Sequence, residues 1–363
     1  MVRLLLEGIH AQVFPGAVLF VRHQGYLRMH HAVGLTSGLP DAYPAQLQTI
    51  YDLASLTKPL ATASAILLLV QDGHLDLSTS IDTWLPDTKN FPLGRARLKE
   101  VLSHQSGLPA WRPFYRSFPP ALPSDVPSRQ ERAKALLELI LKEPIETGAP
   151  PKSLYSDLGY MVLGFIVERI TNQSLADFCR SRIFGPLCAN PLGYRGPNVA
   201  AILDSSIGGC APTEQDPWRG RLLQGEVHDE NAFALGGIAG HAGLFGTAEA
   251  IGQVTQAWLN SYKGHSGLFD SHLVKQFVAA QPGTSWALGW DTPSHPSSSG
   301  QWFSPESFGH LGFTGTSIWI DPVRDLEVIF LSNRVHPTRD NQAIKAFRPK
   351  LHDAIIQDLS GHC

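Results

Sequence analysis

An α/β fold whose sheet is assembled from the two ends of the chain is the architecture the sequence predicts. Two observations predict it. Near the start, "AVLFVRHQGYLRMHHAVG" (17–34) gives two runs of β-branched and aromatic residues broken around Gln24-Gly25, the signature of a hairpin. Near the end, "WALGWDT" (286–292), "TSIWIDP" (316–322) and "LEVIFLSN" (326–333) supply three more short strands, and "NQAIKAFRPKLHDAIIQDL" (341–359) follows with helical apolar spacing.

The middle differs in texture. "SRQERAKALLELILKE" (128–143) and "LGYMVLGFIVERITN" (158–172) have helical patterns and lie between irregular stretches rich in proline and glycine. The expected organisation is a discontinuous sheet domain, residues 1–80 with 240–363, and a mostly helical insertion, 81–239. The proline-rich 107–127 and the glycine-rich 205–246 are long for connecting loops and are expected to rim a cleft between the two.

Composition narrows the class of partner. In 363 residues the formal charge is −3, 17% of residues are charged and 43% hydrophobic, with no long run of like charge, so nucleic acid finds no electrostatic footing. Cys179, Cys188, Cys210 and Cys363 show no C-x-x-C spacing and read as reduced thiols rather than a disulfide framework. The N-terminus lacks a secretory apolar core, and the run Pro59 to Val70 is shorter than the roughly 20 residues a membrane span needs. The expectation is a soluble, cytoplasmic protein with a small-molecule or peptide partner and no membrane span.

The chemistry starts in "YDLASLTKPLATASAILLLVQDG" (51–73). Residues 56–70 are almost all apolar or small, which predicts a helix buried on most sides. Ser55 falls at its N-terminus and Lys58, three residues on, shares its face, so an amine reaches a hydroxyl. A serine needs a base before it attacks a carbonyl, and a desolvated lysine is one source. The plain alternative is a capping serine and a lysine that extends to solvent. In "SLYSDLGY" (153–160), Tyr155, Ser156 and Asp157 stand at the start of an apolar helix, where the phenol and the carboxylate either project toward another site or Tyr155 simply packs and Asp157 or Ser156 caps. "FGHLGFTGTSIWI" (308–320) runs through His310 and Gly312 into a strand, and glycines at a strand edge let a substrate approach backbone N–H groups.

Taken together, serine-x-x-lysine on a buried helix, tyrosine-x-aspartate about a hundred residues later and His-x-Gly opening a late strand resemble the serine β-lactamase and penicillin-recognising hydrolase superfamily. The likeness is to class C β-lactamases and to β-lactamase-like esterases and D-amino-acid peptidases. "VLSHQSGLP" (101–109), "VHDENAFALGGIAGHAGLFGTAE" (227–249) and "LSNRVHPTRDN" (331–341) look like the same group. The resemblance implies an antiparallel five-stranded sheet flanked by terminal helices. It also implies an acyl-enzyme on Ser55, proton transfer shared by Lys58 and Tyr155, and an oxyanion hole made by the N–H groups of Ser55 and Phe313. Asp157 would hold Lys58 and touch the substrate.

Two positions depart from the pattern. His310-Leu311-Gly312 stands where β-lactamases carry Lys-Thr-Gly, and Asp157 where class C enzymes carry asparagine. A histidine is mostly neutral at pH 7, so the usual grip on a substrate carboxylate is missing and strong turnover of penicillins or of D-Ala-D-Ala peptides is not expected. Asp157 should keep Lys58 charged and shift the base role toward Tyr155. Small esters or amides are the expected substrates; a D-amino-acid peptidase or carboxypeptidase, a weak β-lactamase and a catalytically silent binding protein are the alternatives.

No cofactor or metal is expected. His228, Asp229 and Glu230 are adjacent in sequence and do not face one another, and no second histidine completes a zinc pattern. His241 reads as a structural histidine among glycines. Neither a G-x-S-x-G elbow nor a phosphate loop is present.

Overall fold

A computed structural model describes residues 1–40, 42–118, 128–146, 153–195 and 209–361. Pro119, Pro120, Pro123 and Pro127 of the proline-rich stretch, residues 205–208 of the glycine-rich one and Cys363 lie outside the described residues.

Helix α1 (Val2–His10) leads into the hairpin β1 (Gly16–His23) and β2 (Tyr26–Gly34), which turns at Gln24 and Gly25, both at positive φ. The helical run α2 (Ala54–Gln71) follows. Next come α3 (Arg129–Leu141), capped by the Ser128 side chain on the Glu131 N–H, and α4 (Asp157–Thr171), capped by Ser156 on Gly159. Helix α5 (Ala248–Tyr262) precedes β3 (Phe308–Leu311), β4 (Ser317–Asp321), β5 (Leu326–Ser332) and the C-terminal α6 (Ile344–Leu359).

The five strands form one sheet in the order β2-β1-β5-β4-β3, with every neighbouring pair antiparallel. Residues of β1 and β5 are buried on both faces, which is why they read as unbroken apolar runs rather than alternating ones. One face, through Leu19, Val21, Val328 and Phe330, packs on Leu5 of α1 and on Phe347, Leu351 and Ile355 of α6. The other, through Val18, Phe20, Ile318 and Ile329, joins the large core around α2, α4 and α5.

One strand expectation is corrected. Residues 286–292 do not run as a strand: the N–H of Ala287 bonds to the Trp290 carbonyl and folds the segment back on itself, so that Asp291 alone pairs with Gly309. The remaining place in the sheet is taken by Phe308–Leu311, the segment that carries His310. Among the described residues, one helical run, Ala54–Gln71, is long and apolar enough to cross a membrane, longer than its apolar stretch from Pro59 suggests; 83% of it is buried by the protein's own core.

Candidate active site

Helix α2 sets the centre of the site. Its first turn, Ala54–Leu56, is a tight 3₁₀ turn, and residues Lys58–Ala63 widen into a π-helical stretch before regular helix resumes at Ser64. Such local widening is common at functional sites. Ala54, just before Ser55, is held at φ +47°, an uncommon conformation for a residue with a side chain. The buried Asp52 clamps it: Oδ1 accepts from the Ala54 N–H at 2.8 Å and Oδ2 from the His228 N–H at 2.7 Å.

Lys58 is fully buried and each hydrogen of its ammonium has an acceptor: Ser55 Oγ at 2.9 Å, Asp157 Oδ1 at 2.6 Å and the His241 carbonyl at 3.2 Å. Burial alone pushes the lysine's pKa down, but Asp157 and Tyr155 overcome it and hold the group above its ordinary value. Because Ser156 caps α4, the Asp157 side chain is free to reach Lys58, so the cap and the charge partner are neighbours with separate tasks. The Tyr155 ring lies 4.8 Å from the Lys58 nitrogen, which sets its phenol beside Ser55 and Lys58. Burial pushes that phenol's pKa up and Lys58 only partly offsets it, so Tyr155 rests as a neutral phenol.

His104, from "VLSHQSGLP", fixes the tyrosine. Its ring stacks on Tyr155 at 4.5 Å between centroids while Nδ1 accepts from the Ser156 N–H at 3.0 Å. Trp286 packs against both rings, 5.1 Å from Tyr155 and 4.8 Å from His104.

The edge strand β3 comes close to Ser55 because Thr314 donates to the Asp52 carbonyl at 2.7 Å and Thr316 to the Leu53 carbonyl at 3.2 Å. Gly312 is required at this contact, since a Cβ there would sit 2.7 Å from the Leu53 oxygen. His310 keeps Nδ1 on the Leu311 carbonyl, while burial and Lys58 push its pKa down to about 3, so it is uncharged at neutral pH. Its Nε2 has no partner among the described residues.

Ser55, Tyr155, His310, Leu311, Gly312 and Phe313 line a cavity of about 480 Å³. Lys58 and Asp157 stand behind it, so all seven residues singled out in the sequence converge on one place. Sequence reasoning missed the rest of the wall, including Trp286, Asp291, Arg334, Lys345 and Arg348. Arg334 is the second residue after β5, and its position in "LSNRVHPTRDN" is the one available signal. Arg348 donates to the carbonyls of Gly312 and Thr316, and burial pushes its pKa down to about 9.

His228, Asp229 and Glu230 do not share a ligand. His228 bonds to Glu214 at 2.9 Å, Asp229 to His241 at 2.7 Å and Glu230 to Arg339 at 2.8 Å. The His241–Asp229 pair braces the loop whose carbonyl takes one Lys58 hydrogen.

Comparisons with known proteins agree with this geometry. The sequence matches the family model described as Beta-lactamase over residues 2–351. It is 35% identical over 360 residues to the N-acetylmuramyl-L-alanine amidase of Bacillus subtilis (strain 168), covering 92% of this chain and 80% of that protein. To a Salmonella agona (strain SL483) protein named "Putative D-alanyl-D-alanine carboxypeptidase" it is 34% identical over 313 residues, 80% of this chain and 71% of the other. The fold is similar to simvastatin synthase (LovD) from Aspergillus terreus, with TM-score 0.72, 18% identity and coverage of 98% and 97% of the two chains. It is also similar to a class C beta lactamase from Rhodobacter sphaeroides, with TM-score 0.69, 18% identity and coverage of 97% and 99%. A family match that runs almost from end to end, with a serine and a buried lysine in contact at the cavity floor, means that the chain belongs to the beta-lactamase family of serine hydrolases.

Proposed function

We propose that the protein hydrolyses small esters or amides through an acyl-enzyme on Ser55, in a cleft between the sheet layer (1–80 and 240–363) and the helical insertion (81–239). The observation that carries this reading is the buried Lys58 ammonium, bonded at once to Ser55 Oγ and Asp157 Oδ1 beside the Tyr155 phenol. Ser55 Oγ attacks the carbonyl carbon; its proton passes to the Tyr155 oxygen as the phenol's own proton moves to the leaving group. The C–O bond to Ser55 forms and the bond to the leaving group breaks, with no net change on the tyrosine. Water then repeats the relay in reverse and frees the acid. Lys58, charged throughout, stabilises negative charge on both oxygens. The N–H groups of Ser55 and Phe313 receive the oxyanion, which the tie between residues 312–316 and 52–55 supports.

A second reading, a peptidase or carboxypeptidase, is favoured by one observation. Arg334 and Lys345 line the cavity although position 310 is uncharged, so a cation for a substrate carboxylate is available from another wall. The names of the amidase and carboxypeptidase relatives support amide substrates. A cytoplasmic location belongs to the same proposal, supported by the free thiols Cys179, Cys188 and Cys210.

The test is a comparison of kcat/KM for a p-nitrophenyl ester, a D-Ala-D-Ala-terminated peptide and a penicillin in the wild type and Ser55→Ala. Turnover of at least one donor that disappears in the variant supports the proposal, and the ranking chooses between its readings. Turnover that survives Ser55→Ala rejects it.

A further inference from the structure

Asp291 is a cavity-lining carboxylate that the mechanism above does not use. It and Gly309 exchange backbone hydrogen bonds of 2.8 and 2.9 Å, which sets Asp291 beside β3, next to His310. One carboxylate oxygen, Oδ1, is held by Ser285 Oγ at 3.2 Å and the Thr292 N–H at 3.0 Å. The other, Oδ2, has no donor among the described residues, and Asp291 lines the cavity. Burial pushes the carboxyl up to about 6, and no charged neighbour offsets that push.

The surroundings suit a cation. The Trp286 ring lies on the same wall, 5.8 Å from the His310 ring and 5.1 Å from that of Tyr155, and aromatic faces attract ammonium groups. His310 carries no charge to repel one. The charge of Lys58 is paired with the Asp157 carboxylate.

We propose that Asp291 is a specificity residue that selects substrates bearing a protonated amine, whose N–H groups bond to its open oxygen. The chemical class is amino-acid esters, amino-acid amides and short peptides with a free amino group. With Arg334 and Lys345 on the same cavity, a zwitterionic peptide finds a partner for each end. This inference rests on the Ser55 acyl-enzyme reading.

Paired substrates that differ only in the amine test it: alanine benzyl ester in each configuration against benzyl propionate, followed by release of benzyl alcohol. In the wild type, kcat/KM should favour the amine in at least one configuration by about tenfold or more. Asp291→Asn should shrink that ratio about 10- to 100-fold toward or below parity, the scale of a lost hydrogen bond to a charged group, and Asp291→Glu should restore part of it. A wild type without amine preference, or a ratio that Asp291→Asn leaves unchanged because both substrates suffer equally, overturns the proposal; equal loss would mark a residue that only shapes the 285–292 turn. Turnover of benzyl propionate through Ser55 with no amine preference rejects the role of Asp291 alone. Absence of any Ser55-dependent turnover rejects that role together with the acyl-enzyme reading.

Discussion

Lys58 and Asp157 stand 99 positions apart in sequence and 2.6 Å apart in space, the lysine with no exposed surface. The pair decides the protonation of the site. A lone buried ammonium would lose its proton; one bonded to a carboxylate keeps it, and the base work then falls to another group.

Asp157→Asn removes the charge that holds Lys58 above its ordinary pKa, leaving burial, which acts downward, as the larger influence. The alkaline limb of the kcat/KM profile should therefore move to lower pH. An alkaline limb that stays in place or rises would contradict the assignment of Lys58 as a required cation.

Tyr155→Phe keeps the stacking with His104 and Trp286 but deletes the proton relay. Turnover should fall by about 10²- to 10⁴-fold, the range for loss of a positioned acid–base group, with little change in Tm. Near-normal turnover in this variant, alongside abolition in Lys58→Ala, would return the base role to the lysine.

Gly240→Ala should destabilise the protein by about 1–3 kcal/mol through overpacking. An added Cβ would collide with the Tyr160 carbonyl and stand 3.0 Å from the Gly164 nitrogen, while Thr62 holds the Gly240 carbonyl at 2.6 Å. The neighbouring His241 carbonyl would be displaced from Lys58, so activity should fall with Tm. Thermal unfolding that matches the wild type would show that the loop yields freely.

Glu214 governs acid sensitivity near the cleft. Burial acts to raise its pKa, but His228 and Arg339 outweigh it and hold the carboxyl at about 2 against an ordinary 4.5. A depressed acid contributes stability that is present above pH 4.5 and is lost as pH falls through 4.5 toward 2. Glu214→Gln should lower Tm at pH 7 and flatten the decline of Tm over that acid range. An acid slope equal to that of the wild type would place the sensitivity elsewhere, for instance at Asp229, which His241 also holds well below the usual carboxylate range.

Local signals explain what was legible in the sequence. The Gln24-Gly25 hairpin and the burial of α2 each depend on residues within a few positions of one another. Ser55 and Lys58 are three apart on one helix, so their contact was readable too. Tyr155, Asp157 and His310 were reached through a motif pattern rather than from any local physical rule. The fold-back at 286–292 was hidden because its residues favour strands while its backbone hydrogen bonds close a turn. Glu214 and Arg339 are 125 positions apart, and Asp291 owes its character to a strand it pairs with at one residue, so neither left a signal in spacing or composition.

The most direct measurement is the intact mass of the protein after exposure to a fluorophosphonate probe, followed by peptide mapping, in the wild type and Ser55→Ala. One phosphonyl group per chain, located on Ser55 and absent from the variant, is the predicted result. A wild type that gains no mass, or an adduct that persists in Ser55→Ala, would contradict the claim that the lysine-bonded Ser55 is the nucleophile.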